Sequence, residues 1–424
     1  MAKKERNVLY MKKYLVINAG SSSLKFALYD VENMDNYIEL ANGYIEKIGS
    51  EDSFYTIKTT AGKIKKEEYV KDHVDAVKIM LKELVDNNFI KDFSEIAGIG
   101  HRILHGGEYY QESVVIDDEV IKNVDSLAPL GPLHIPGSLN VIHEISEIMP
   151  DVEQVGVFDT AFHQTMPEVN YLYAVPYEWY SKYGVRKYGF HGTSHKYITE
   201  VMMKMMNKED INLIICHLGS GASISCIRNG ICYNTSMGLT PLDGLVMGTR
   251  CGNIDASVVD YVSFEEGKTS EEITMDLNRE SGLFGICGKS DFRDILKLCE
   301  SGDKKAYLAL DMFVSSVTNY IAEYYFQLRG KVDGIVFTAG CGENVMSVRE
   351  SIIDHIKDIM GIELDKEMNN KIASYLPDKM GMITTKESKI PVYVIPTNEE
   401  YMILRDTYDL VNKKENVKIK KYTK

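Results

Sequence analysis

Leu15-Val-Ile-Asn-Ala-Gly-Ser-Ser-Ser-Leu-Lys-Phe26 is the stretch that decides the architecture. Tyr14–Ile17 is an apolar run, Gly20–Ser23 a turn of small residues, and Leu24–Tyr29 a second apolar run, which reads as strand, turn and return strand. Ile214-Ile-Cys-His-Leu-Gly-Ser-Gly-Ala-Ser-Ile-Ser225 has the same form. From Gly20 to Gly219 the offset is 199 residues, about half of the 424-residue chain. Two similar domains, each offering one Gly/Ser hairpin turn, explain the echo, and a pair of such turns facing a common cleft can hold a polyphosphate from two sides. Taken singly, each turn is equally an ordinary hairpin.

Strand and helix patterns alternate through the rest of the chain. Val74, Val77, Met80, Leu81 and Leu84 recur at helical spacing, and Asn87 and Asn88 stop them. Ile96–Leu104 is strand-like. Ala306–Leu328 reads as a long helix ended by Gly330. Val332–Thr338 reads as a short buried strand followed by a Gly-rich turn and a helix. Val392–Pro396 repeats that logic, with Asn398–Asp406 opening the next helix. The expectation is an α/β protein whose sheets are covered by helices.

A chain of 424 residues accommodates two domains, each with its own core. Its net charge of −14 argues against nucleic acid or anionic membrane as a main partner, and an anionic substrate therefore needs cations gathered locally. No apolar stretch approaches the roughly 20 residues of a membrane helix. The polar, basic Met1–Tyr10 segment and the short run after it do not read as a signal peptide, and Met11 is an alternative start. The basic stretch Lys413–Lys424 reads as a solvated end. Seven cysteines are scattered without a C-x-x-C pair, which suggests neither a disulfide framework nor a zinc site and fits a reducing cytoplasm.

The chemistry-bearing residues stand near glycines. Gly lets backbone N–H groups approach a phosphate, and Ser adds hydroxyl donors. Neither turn is a Walker loop. Lys25, just after the first turn, can reach the same phosphates or be a solvated lysine. Gly340-Cys-Gly-Glu-Asn344 can seat a flat base or ribose, or be a tight strand–helix connection. Arg102 in Gly100-His-Arg-Ile-Leu-His-Gly-Gly107, Arg250 in Met247-Gly-Thr-Arg250 and His191 in Tyr188-Gly-Phe-His-Gly-Thr-Ser-His195 are potential cations against an acidic background. Phosphoryl transfer spreads charge over three oxygens and needs converging donors of this type. Asp159 and Glu399 suit Mg²⁺, directly or through water, or serve as a helix cap and a first-turn acid. His191 and His195 share a zinc-like i, i+4 spacing, but Gly192 and Thr193 are poor helix formers and no third ligand is evident.

Together these residues make the chain resemble the acetate kinase family, of the superfamily that includes sugar kinases, actin and the chaperone ATPases. The resemblance runs from about Leu15 to Thr407. It is carried by Asn18–Phe26, Gly100–Gly107, Phe158–Pro167, Tyr188–His195, Asn234–Pro241 and Ile395–Glu400. It implies two similar domains of ribonuclease-H-like, actin-like ATPase fold facing a central cleft: residues 11–162 completed by about 399–424, and a nucleotide-binding domain over 163–398. It further implies reversible transfer from ATP to acetate, giving acetyl phosphate and ADP, with Mg²⁺ (or Mn²⁺ in its place), in a cytoplasmic homodimer whose domains close over substrate. Asn18 and Glu399 would organise the metal, with Asp159 near it. Arg102 and Arg250 would bind the carboxylate and the moving phosphoryl, His191 would stabilise the transition state, and His134 would line the same site. Lys25, the turn His217, Leu218, Gly219, Ser220 and Gly221, the segment Asp291, Phe292 and Arg293, and Gly340, Cys341, Gly342, Glu343 and Asn344 would hold the nucleotide. Leu104, Leu133, Phe190 and Pro241 would form the acyl pocket.

The chain departs from the family pattern at Ser220, where Asn is usual, at Ile135 and Gly137, at Asn234, and at Cys251, Asn253 and Ala256; the Gly288–Arg293 loop is a residue short. These changes bear on nucleotide affinity and donor identity more than on reaction type. Leu104, where Val is common, favours acetate over propionate or butyrate, by only about 1–3 kcal/mol per methylene. The competing readings are a propionate or butyrate kinase, a paralogue using another phosphoryl donor, a sugar or alcohol kinase with Asp159 as general base, and a nucleotide-binding regulatory protein without catalysis.

Overall fold

A computed structural model describes residues 11–59, 62–132 and 134–412. The expectations placed on Met1–Tyr10, on Leu133 and on Lys413–Lys424 lie outside the described residues. The chain divides into two compact units, the first holding residues up to Ala161 and again from Glu399, the second Phe162–Asn398.

The first unit is built on one sheet. Its strands are β1 (Lys12–Ala19), β2 (Ser23–Asn33), β3 (Asn36–Glu46), β4 (Phe54–Thr59), β5 (Gly62–Glu67), β6 (Ile96–Ile103), β7 (Val114–Val115) and β8 (Gln154–Phe158), in the order β5-β4-β3-β2-β1-β6-β8-β7. β1 and β2 form the antiparallel hairpin read from the sequence, and Gly20 N–H closes its turn on the Ser23 carbonyl at 2.7 Å. β6 lies parallel to β1, and β8 parallel to β6. One face packs Leu15, Ile17, Leu24, Phe26 and Leu28 against Val77, Met80, Leu81 and Leu84 of the helix His73–Asp86. Tyr14, Val16, Ala27 and Tyr29 face the other way, onto Ile403, Leu404 and Tyr408 of the helix Glu399–Val411. The period-two alternation along β1 and β2 thus feeds two cores.

The second unit repeats the plan. β9 (Leu213–Leu218), β10 (Ala222–Arg228), β11 (Ile231–Thr235), β12 (Gly334–Thr338), β13 (Gly381–Met382) and β14 (Val392–Val394) pair in the order β11-β10-β9-β12-β14-β13. β9, β10 and β11 are successive antiparallel neighbours, and β12 and β14 continue the sheet in parallel with β9. β3-β2-β1-β6-β8 of the first unit has the same order and the same directions. The echo between Gly20 and Gly219 is therefore a repeated five-strand topology, and the α/β, actin-like fold class expected from the sequence is what the chain adopts. In β9 the run Leu213–Leu218 is buried at every position, as a central parallel strand requires.

Two expectations of local structure change. Gly340–Asn344, read as a turn, belongs to a short helix, Ala339–Asn344, entered through Ala339 at φ 64°. Gly192 and Thr193, read as poor helix formers, begin the helix Gly192–Met206; burial of Ser194, His195, Ile198 and Met202 outweighs their propensity.

Gly100 fixes where the Glu399–Val411 helix sits: a Cβ there would lie 2.2 Å from Thr407 Oγ1 and 2.6 Å from Ile403 Cγ2. Beside it, His101 is buried on β6, with Nε2 2.7 Å from Gln154 Oε1, and desolvation lowers its pKa to about 4. The unfolded ring titrates near 6.5, so between these values the unfolded chain binds the extra proton. Stability is therefore complete above pH 6.5 and is lost as the pH falls towards 4. Urea unfolding across that range should show a loss of up to roughly 3 kcal/mol from this group, and His101→Asn should flatten the slope.

Candidate active site

In the first unit the functional side chains leave the carboxyl ends of parallel strands, where α/β sheets carry their ligands. Asn18 and Arg102 are register partners on β1 and β6, and Asp159 directly follows β8. Arg102 donates through Nε to Asp159 Oδ1 at 2.9 Å and through Nη2 to Oδ2 at 2.6 Å, and its Nη1 lies 3.4 Å from Asn18 Oδ1. Asp159 is wholly buried, whereas Arg102 keeps 23% of its side chain exposed. The buried acid thus aims a guanidinium that still reaches solvent. Desolvation works against the Arg102 charge, but Asp159 and Glu399 hold its pKa above the ordinary value. Asp159 is thus a buried acid, not a solvated one, and each of its oxygens accepts from Arg102.

Glu399 opens its helix, and its Oε1 is shut off from solvent without a hydrogen-bond partner. Its carboxyl is pushed up to about 7 by desolvation first, with Arg102 opposing and Asp159 and Glu400 adding to the rise. An orphaned carboxylate oxygen near Asp159, with the Asn18 amide oxygen at the other side of Arg102, is oxygen chemistry of the kind a hard cation takes. Mg²⁺ is held by one or two carboxylates plus substrate phosphates and water, so the residues fit it. Among the described residues, no group of three or more His, Cys, Asp or Glu side chains is placed to hold a metal. Lys25 is exposed and is the register partner of Asn18 across the first hairpin. His134 stands at the start of the helix Ile135–Ile148, donating its N–H to Gly131 O at 3.0 Å. Leu104 packs on the same turn, 3.0 Å from where a Gly131 Cβ would stand.

In the second unit the turn between β9 and β10 gathers the other predicted cations. A Cβ on Gly221 would lie 3.3 Å from Arg250 Nη1, a tight approach that the missing side chain eases, and 3.6 Å from His191 Nε2, an ordinary contact, so both groups stand at the turn. Arg250 Nη1 also donates to the Pro241 carbonyl at 3.2 Å, and Gly248 N–H to Ser220 O at 3.1 Å ties the arginine loop to the turn. His191 precedes its helix at φ 59° and stacks on His217, with ring centroids 4.2 Å apart and planes at 20°. Phe190 is buried, and its carbonyl accepts from His163 Nε2 at 2.9 Å.

A cavity of about 650 Å³, within the range of small-molecule sites, opens beside this turn. Of the residues expected to hold a nucleotide, Gly219, Ser220, Asp291, Phe292, Arg293, Gly340, Cys341 and Asn344 line it. Others do not. Leu218 is buried in the sheet, Gly342 gives its carbonyl to Arg349 Nη1, and Glu343 Oε1 accepts the N–H groups of Ala339 at 2.8 Å and Thr397 at 3.1 Å. Arg293 is turned to Asp291, whose carboxyl it holds down to about 2. Ser290, Val345 and Tyr375 line the cavity unforeseen. Tyr375 had no signal in the sequence; it is placed by Ser374, whose N–H and Oγ both donate to Asn344 Oδ1, at 3.0 and 2.7 Å. Arg349, fully buried, binds the Gly342, Glu343, Asn369 and Ile372 carbonyls and so fixes this wall.

A duplicated α/β fold with a glycine-serine turn flanked by an arginine and a histidine is an arrangement suited to phosphoryl transfer. The model of the acetokinase family matches residues 13–405. The acetate kinase of Thermoanaerobacterium thermosaccharolyticum is 48% identical over 405 residues, covering 94% of this chain and 99% of that one. Acetate kinase 2 of Clostridium perfringens is 49% identical over 406 residues, with the same coverage. Among solved structures, the acetate kinase of Porphyromonas gingivalis superposes with a TM-score of 0.86 at 40% identity, over 94% of this chain and all of that one. A propionate kinase from Francisella tularensis superposes with a TM-score of 0.87 at 41% identity and equal coverage. The chain belongs to the acetokinase family.

Gly221→Ala should lower kcat/KM severalfold, because its Cβ would stand 3.3 Å from Arg250 Nη1 and press that guanidinium back from the turn, while urea unfolding shifts by less than about 1 kcal/mol. Unchanged kinetics would show that the approach of Arg250 to Gly221 has no part in turnover.

Proposed function

We propose that this enzyme transfers the γ-phosphoryl group of ATP reversibly to acetate, giving acetyl phosphate and ADP. The observation that carries the reading is the approach of Arg250 and His191 to Gly221 in a phosphate-type turn, in a chain 46–49% identical to acetate kinases.

Acetate is ionised at neutral pH, with a carboxyl pKa of roughly 4, so it attacks without a general base. What it needs is orientation and relief from repulsion by the triphosphate. Arg102 is assigned to the carboxylate: its fork is fixed by Asp159, and Nη1 faces Asn18. That engagement of both Asp159 oxygens also speaks against a sugar or alcohol kinase, in which Asp159 would have to take a proton. Arg250 and His191 are assigned to the moving phosphoryl group, with the His217–Gly221 turn on the polyphosphate and the cavity beside it on the nucleoside. Phe190, Pro241, Leu104 and Leu133 are assigned to the methyl group, and His134 to the same site. Asn18 and Glu399, with Asp159 near, would hold Mg²⁺, which supplies charge neutralisation on phosphate oxygens. Transfer is direct, with no phosphorylated side chain. The two units are proposed as the functional domains, and the assembly as a homodimer. The cytoplasmic assignment rests on seven free cysteines and on the absence, among the described residues, of any helix long and apolar enough to cross a membrane.

Hydroxamate trapping with ATP and Mg²⁺ should detect acyl phosphate from acetate at a higher kcat/KM than from propionate or butyrate. Propionate as the better acceptor would move the chain to the propionate kinases, and no trapped product from any of the three would refute carboxylate phosphorylation. Arg250→Ala should cost on the order of 10³ in kcat/KM with the fold intact; a loss below roughly tenfold would mean the arginine is misassigned.

A further inference from the structure

Ser223, on β10 and wholly buried, stands between two imidazoles. Its Oγ lies 2.9 Å from His191 Nδ1 and 2.8 Å from His195 Nε2. A hydroxyl has one proton to give and lone pairs to accept with. Between two neutral rings the bridge therefore runs in one of two directions. In the first, His195 Nε2–H donates to Ser223 and the hydroxyl proton goes to His191 Nδ1. In the second, His191 Nδ1–H donates to Ser223, Ser223 donates to His195 Nε2, and the remaining His195 proton sits on Nδ1.

The surroundings of His195 decide between them. Its Nδ1 is buried and has no hydrogen-bond partner. A proton there would be an orphaned buried donor, whereas a bare ring nitrogen is an under-satisfied acceptor, which protein interiors tolerate better. His195 is neutral: desolvation, then the neighbouring His163 and His217, drive its pKa well below the ordinary value. A cationic His191 would bring an N–H to Nδ1 and force either the disfavoured direction or an unpaired Ser223 hydroxyl.

We propose that Ser223 and His195 are positioning residues that hold His191 in its Nε2–H tautomer, presenting a neutral N–H donor at the second phosphate turn. The donor end is the right one, since Nε2 is the His191 nitrogen 3.6 Å from where a Gly221 Cβ would stand. A second hydroxyl steadies the stacked neighbour: Thr397 Oγ1 donates to Ser194 Oγ at 2.7 Å, and Ser194 Oγ lies 2.8 Å from His217 Nδ1. A neutral imidazole keeps its N–H without adding a proton that the leaving ADP could carry away. The proposal rests on His191 being a donor to the phosphoryl group, but its first test does not depend on which acceptor the enzyme uses.

That test is long-range ¹H–¹⁵N correlation NMR on unliganded full-length enzyme carrying ¹⁵N-histidine, assigned with His191→Gln and His195→Gln. At pH 7.5 both rings should be neutral and protonated on Nε2. A His191 proton on Nδ1, or a doubly protonated ring, overturns the proposal. Ser223→Ala should release the His191 tautomer and lower kcat about tenfold while KM for ATP changes less than about threefold. A wild-type tautomer pattern in Ser223→Ala overturns the proposal as well. His195→Gln, whose amide N–H replaces Nε2–H, should restore the tautomer and most of the kcat that His195→Phe loses. Should His195→Phe fail to fold, the wild-type and Ser223→Ala spectra decide.

Discussion

Acetate and a triphosphate repel each other, and a chain of net charge −14 deepens that repulsion unless its few cations are held in place. Everything distinctive about the two candidate clusters answers this constraint. In the first unit a fully buried Asp159 spends both oxygens on Arg102, which fixes the guanidinium's direction without neutralising its reach. In the second, Arg250 is braced by the Pro241 carbonyl, which Nη1 reaches at 3.2 Å, so its guanidinium is held at the turn. A buried ion pair is a weak source of stability. Its value at Arg102 is geometric.

The repeated topology explains how one plan serves two chemistries. Asn18 in β1 and His217 in β9 occupy matching strand positions, each one residue short of a Gly/Ser turn's entry. Their register partners on the next parallel strand are Arg102 and Thr338. The first unit fills these positions with an amide and a guanidinium. The second fills them with an imidazole and a hydroxyl, and its turn carries Gly221, beside which Arg250 comes close. The scaffold supplies carboxyl-end positions, and residue choice supplies the function.

Much of this was legible in the sequence because it is local or periodic. The hairpin at Gly20, its echo at Gly219, and the helix through Val77, Met80 and Leu84 follow from turn chemistry and spacing. The prominence of Arg102, His191 and Arg250 followed from glycine-rich surroundings in an acidic chain. The rest depends on tertiary contacts that no local pattern encodes. The helix begins at Gly192 because Ser194, His195 and Ile198 are buried, not because its first residues favour it. Glu343 turned from the expected nucleotide to backbone amides, since a carboxylate there caps two orphan donors. Tyr375 reaches the cavity only through the bond of Ser374 to Asn344, and Ser223 matters only because His191, just before a helix, and His195, within it, converge on it.

The central claim is that Arg250 and His191 form the seat of the phosphoryl group in flight. It is tested most directly by ¹⁹F NMR of the complex with ADP, aluminium fluoride and acetate, in which the metal fluoride takes the place of the moving group. The wild-type enzyme should give resolved, protein-bound fluorine resonances. In Arg250→Ala, still folded and still binding ADP, they should be absent. An identical spectrum in the variant would contradict the account.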